Sequence, residues 1–139
     1  MTQNNLKESQ SFELRPKFIR QKRTWRAKFH DSFLGIRQSV RRQSSYRVHF
    51  FFAILTILAA WGLRFDLIRW ALLILVVFIV LAAEMFNTAL ENMAREITDE
   101  ESEYIAHSLN IASGAVLVVS LAAVLVGLIL FGDAILKFF

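Results

Sequence analysis

The chain has 139 residues, 55% of them apolar, with one proline, no cysteine, a positive mean hydropathy and a formal net charge of +4. Length and apolar share together describe one small membrane domain and not a soluble core. The missing cysteine excludes disulfides, thiolate chemistry and cysteine-based metal sites, and five scattered glycines supply no phosphate-cradling Gly-x-x-x-x-Gly-Lys loop.

Residues 1–14 are polar without a periodic apolar face, and read as a disordered tail. From Pro16 the pattern changes. Phe18, Ile19, Trp25, Phe29, Phe33, Leu34, Ile36 and Val40 recur at three- and four-residue steps with Lys and Arg between them. This predicts a basic amphipathic helix region over 15–47, lying in a membrane interface, with a break near His30 and Asp31. Such a segment could serve as a nucleic-acid arm. Its aromatic stripe and direct junction with an apolar span point instead to anionic headgroups, so no nucleic-acid partner is expected. The histidines His30, His49 and His107 are too scattered for metal-ligand spacing, and each reads as an ordinary interfacial residue.

Three membrane spans come next: Val48 to Leu63, Ile68 to about Ala94, and Ile111 to Phe131. Phe50-Phe51-Phe52 and Trp61 form an aromatic belt at the two ends of the first. The fold class is therefore all-α and integral to the membrane: an amphipathic surface helix, a three-helix transmembrane domain over 48–131, and a short external tail over 132–139. Twelve of the sixteen basic residues precede the first span. The positive-inside bias puts the N-terminus in the cytoplasm and, after three spans, the C-terminus outside. The turn from Arg64 to Arg69 is then external, and the acidic loop from Arg95 to Tyr104 is cytoplasmic. Three short helices seal poorly alone, so self-association is expected.

The second span carries the chemistry. No charge occurs from Trp70 to Ala83; then Glu84, Asn87 and Glu91 stand at i, i+3 and i+7, which is one helix face. Either the two acids sit solvated at headgroup level, or they form a site, since an ionisable residue at the edge of the hydrocarbon is costly unless paired, metal-bound or turned into a wet cavity.

The run Glu84-Met85-Phe86-Asn87-Thr88-Ala89-Leu90-Glu91 closely resembles the signature of the prokaryotic diacylglycerol kinase family, which includes the undecaprenol kinases. The resemblance runs without a gap from about Phe29 to Phe131. It takes in the turn Gly35-Ile36-Arg37, the pair Tyr46-Arg47 and the small-residue start Gly114-Ala115-Val116-Leu117. It implies a membrane lipid kinase that uses ATP and Mg²⁺, assembled as a homotrimer with sites shared between neighbours. Glu84 would be the general base toward a lipid hydroxyl, Asn87 a polar clamp near the phosphates, and Glu91 a ligand of the Mg²⁺ that carries ATP.

This chain also departs from the family pattern. The second metal-binding Glu falls on Gln43, whose neutral carbonyl is a weaker ligand for a hard cation. The Lys-Asp pair expected at the start of the last span falls on Leu109-Asn110, and an acid expected four residues after Glu91 falls on Arg95. Asn110, Arg47 and Arg95 are left as candidates for nucleotide contact. Two readings result: a kinase for diacylglycerol or undecaprenol with a remodelled nucleotide pocket, or a degenerate homologue that keeps the membrane scaffold and binds a lipid or a partner protein.

Overall fold

The computed structural model describes residues 24–42, 44–97 and 102–138. The tail expected over 1–14 and the candidate ligand Gln43 lie outside the described residues. Four helices account for nearly all of the rest: α1 (Trp25–Arg42), α2 (Ser44–Gly62), α3 (Leu67–Ile97) and α4 (Glu103–Phe138). Helices α2 to α4 are long and apolar enough to cross a membrane.

Among the described residues, those up to Asp31 belong to one compact unit and those from Ser32 onward to a second. In the first, the Thr24 hydroxyl caps α1 by accepting from the Ala27 N–H at 3.4 Å. Lys28 lays its ammonium 4.4 Å from the centre of the exposed Trp25 ring. The helix has no break at His30 and Asp31 and continues to Arg42, since neither residue removes a backbone donor or requires a non-helical conformation.

In the second unit, α3 packs against α2 and α4. Each helix offers one face, its buried residues falling at steps of three, four, seven or fourteen. On α2 this face holds Tyr46, Ala53 and Ala60; on α3 it holds Leu73, Val80, Glu84 and Asn87; on α4 it holds Val116, Leu130 and Ala134. Trp70, Val77, Val126 and Phe131 pack partly buried beside these faces, while many other large apolar side chains of the three helices point outward, as lipid-facing surfaces do.

The turn between α2 and α3 closes tightly. Arg64 takes a left-handed conformation with φ 52. The Phe65 N–H then donates to the Ala60 carbonyl at 3.1 Å and the Arg64 N–H to the Trp61 carbonyl at 3.1 Å, the hydrogen-bond pair of a Schellman ending. Phe65 is thereby driven into an apolar cluster with Ala60, Leu73, Leu130 and Ala134, its ring 4.9 Å from that of Phe131. Asp66 caps α3, accepting from the Ile68 and Arg69 N–H groups at 3.0 Å each. These bonds, the Arg69 amide first, hold the exposed Asp66 carboxyl below the usual carboxylate range, and the Arg69 charge adds to the effect.

Residues 132–138 differ from the expected tail. They continue α4, because Asp133 pairs with Arg69 and Ala134 is buried in the apolar cluster. The α3 and α4 helices also overrun the apolar windows, to Ile97 and back to Glu103. At about 1.5 Å per residue both exceed the roughly 30 Å hydrocarbon layer, so their polar ends emerge as helix into the headgroup zone.

Candidate active site

The Arg69 end and the Glu84 end of α3 divide its apolar stretch between them. Arg69 marks one boundary of the charge-free region, and Glu84 lies about 22 Å farther along the axis at ~1.5 Å per residue. Glu91 is about 10 Å beyond that, past the hydrocarbon edge. The two acids therefore stand about 10 Å apart along one face, Glu84 next to the apolar stretch and Glu91 farther from it.

Glu84 and Asn87 belong to the face of α3 that packs on its neighbours, and Glu91 lies at its edge. Glu84 is 4% exposed and Asn87 is 8% exposed. The sequence places them there because Leu73, Val80, Glu84, Asn87 and Glu91 continue one stripe, apolar in its first half and polar in its second. Along the polar half, the Asn87 amide N–H donates to Glu91 Oε1 at 2.9 Å. The Ser113 hydroxyl of α4 lies 3.5 Å from Asn87 Oδ1, at the limit of a hydrogen bond. Asn87 thus links the acid to a second helix. Arg95 Nη2 stands 3.9 Å from Glu91 Oε2, one turn farther out.

From α2, His49 brings Nε2 to 4.0 Å from Glu84 Oε2, with its side chain 26% exposed. Read from sequence, His49 is an ordinary interfacial residue. In the fold it lies three residues after buried Tyr46 and four before buried Ala53, on the packing face of α2. That spacing was the available signal.

Beside this face, Gly35, Gln38 and Ser39 of α1 and Thr88, Asn92 and Arg95 of α3 border a cleft of about 410 Å³. Small-ligand sites are of this order. Arg95 lies both on its rim and next to Glu91.

Residues 30–131 match the prokaryotic diacylglycerol kinase family. The chain belongs to that family. It is 32% identical over 100 residues to a diacylglycerol kinase of Synechocystis sp., an alignment that covers 71% of this chain and 57% of that relative. It is 25% identical over 108 residues to an undecaprenol kinase of Bacillus subtilis, covering 75% of this chain and 88% of the relative. The chain thus spans little more than half the length of the first relative.

Of the remaining candidates, Arg47 and Asn110 are exposed, and Leu109 is half-buried. Neither Arg47 nor Asn110 is joined to Glu84, Asn87 or Glu91 by a hydrogen bond or ion pair among the described residues. Asn110 lies about 120° around α4 from Val116, the residue that marks the packing face.

The described residues contain no cluster of three or more His, Asp or Glu side chains able to cage a metal. That donor set still fits Mg²⁺ arriving on a nucleotide, which is commonly held by one or two carboxylates together with the phosphates. Glu91 is the carboxylate of this face whose Oε1 accepts from the Asn87 amide.

Proposed function

We propose that the chain phosphorylates the hydroxyl of a membrane lipid alcohol, a diacylglycerol or undecaprenol, with ATP as donor. It would act at the cytoplasmic surface of a bacterial inner membrane, N-terminus inside and C-terminus outside. One observation carries this reading: a carboxylate only 4% exposed, Glu84, stands on a packed helix face about 10 Å inward of Glu91 and its Asn87 support. A lipid alcohol is a poor nucleophile and needs a base at headgroup depth, whereas the triphosphate is soluble and needs charge compensation farther out.

Glu84 takes the proton of the attacking hydroxyl. Asn87 fixes the Glu91 carboxylate, which would hold a Mg²⁺ ion; that ion would supply positive charge against the phosphates of ATP. Arg95, on the rim of the cleft between α1 and α3, supplies positive charge beside the nucleotide in place of the family's lysine. The outward-facing apolar surfaces of α2 to α4 are consistent with a homotrimer in which neighbours complete the site.

A second reading, a lipid- or partner-binding scaffold without transferase activity, is favoured by Leu109 and by the exposed Asn110 at the family's Lys-Asp positions. Phosphate transfer by the purified chain with ATP, Mg²⁺ and each lipid separates the two. Transfer to either lipid supports the kinase. A silent chain that gains transfer on Gln43→Glu, Leu109→Lys and Asn110→Asp together indicates an intact scaffold with lost ligands. Silence in both favours the scaffold.

A further inference from the structure

Glu84 meets a polar side chain from another helix at one point among the described residues, His49 of α2. The separation of 4.0 Å is too long for a hydrogen bond. It is short enough for one oxygen atom to span: an oxygen about 2.8 Å from each of Nε2 and Oε2 makes an angle of about 90° between them. The Glu84 side chain keeps 5% of its surface exposed. A nearly buried carboxylate and an imidazole thus face each other at a distance that one hydroxyl oxygen can bridge, on the packed face of α3.

We propose that the acceptor hydroxyl sits between His49 and Glu84, with His49 Nε2–H donating to its oxygen while its own proton points at Glu84 Oε2. This rests on the reading of Glu84 as base and adds a second contact that fixes the nucleophile. An alcohol oxygen has two lone pairs. With one engaged by His49, the other is directed at the phosphorus. In the step, the O–H bond breaks and its proton passes to Glu84. The oxygen bonds to the γ-phosphorus of ATP, and the bond from that phosphorus to the β,γ-bridging oxygen breaks with its electron pair leaving on ADP. His49 keeps its proton throughout and selects for a hydroxyl, because an acceptor without oxygen leaves both polar groups unmatched.

The experiment uses the full chain in phosphatidylcholine vesicles with ATP, Mg²⁺ and dioctanoylglycerol. His49→Leu is expected to lower kcat about 10- to 100-fold, as expected for a misplaced nucleophile, with KM for ATP within about twofold. His49→Gln keeps an N–H at similar reach and should recover most of the loss. Full activity in His49→Leu, or equal losses in both variants, overturns the inference. Glu84→Gln measured alongside separates the two claims: undiminished transfer there rejects the base, whereas a dead Glu84→Gln with an unaffected His49→Leu rejects only the hydroxyl seat.

A readout without turnover covers a silent chain. In ¹⁵N-histidine-labelled protein carrying His30→Gln and His107→Gln, the His49 ring signals should shift on adding dioctanoylglycerol and stay in place with its 3-deoxy analogue. The same response to both, or to neither, overturns the proposal.

Discussion

Replacing Asn87 with Ala removes the link between the outer acid and the helix that supports it. The bond lost is the 2.9 Å donation to Glu91, a hydrogen bond to a charged acceptor on a face that is largely buried, and such bonds contribute about 1.5–3 kcal/mol. At about 1.4 kcal/mol per decade, kcat/KM for MgATP should fall roughly 10- to 150-fold. The contact from Ser113 to Asn87 is 3.5 Å, at the edge of hydrogen-bond geometry, so Ser113→Ala should cost no more than about threefold. The assay is phosphate transfer at fixed lipid with Mg²⁺ and ATP varied independently, beside a thermal melt to confirm folding. The Asn87→Ala loss should concentrate in the Mg²⁺ requirement. An unchanged Mg²⁺ dependence, or a Ser113→Ala defect larger than that of Asn87→Ala, would refute Asn87 as the support of Glu91.

Two further outcomes concern the other end of the helices. Asp133→Ala takes a carboxylate from Arg69, which is only 17% exposed, and should destabilise the fold by about 1–2 kcal/mol, allowing for the half-exposed partner; a melting temperature equal to wild type in detergent would contradict the structural role of 132–138. Asp66 has its carboxyl lowered below 3.8, so its contribution to stability is complete above the ordinary carboxylate value and is lost as pH falls through the lowered one. The melting-temperature gap between wild type and Asp66→Asn should persist at about pH 5 to 7 and close as pH drops below about 4; a gap that is flat with pH, or that widens toward acid, would remove the cap charge as its source.

The spans and the acid face were legible in the sequence because a single physical contrast writes both. A helix in hydrocarbon must satisfy its own backbone and expose apolar side chains. The charge-free run from Trp70 to Ala83 therefore marks the layer, and Glu84, Asn87 and Glu91 mark one side of the helix where it leaves that layer. Helix ends were less legible. Apolarity ends where the hydrocarbon ends, whereas backbone hydrogen bonding continues in the headgroup zone, so α4 begins at Glu103 and α2 at Ser44, ahead of the apolar windows. The stretch 132–138 reads as a tail because the groups that keep it helical, Arg69 and the apolar cluster around Phe65, lie far away in sequence.

His49 shows the same limit within the site. Considered with His30 and His107 it belongs to no metal-ligand spacing; considered with Tyr46, Ala53 and Ala60 it occupies the packing face of α2, and only the fold reveals that this face meets Glu84. Asn110 is the opposite case. It holds a family position in the sequence, yet it is exposed and about 120° around α4 from Val116.

The most direct measurement is lipid phosphorylation by Glu84→Gln compared with wild type and Glu91→Gln, each in vesicles with ATP, Mg²⁺, diacylglycerol and undecaprenol. Glutamine keeps the shape of the side chain and cannot take a proton, so transfer should fall about a hundredfold or more with the melting temperature retained, while Glu91→Gln chiefly raises the Mg²⁺ concentration needed. A Glu84→Gln chain that phosphorylates lipid at the wild-type rate would contradict Glu84 as the base.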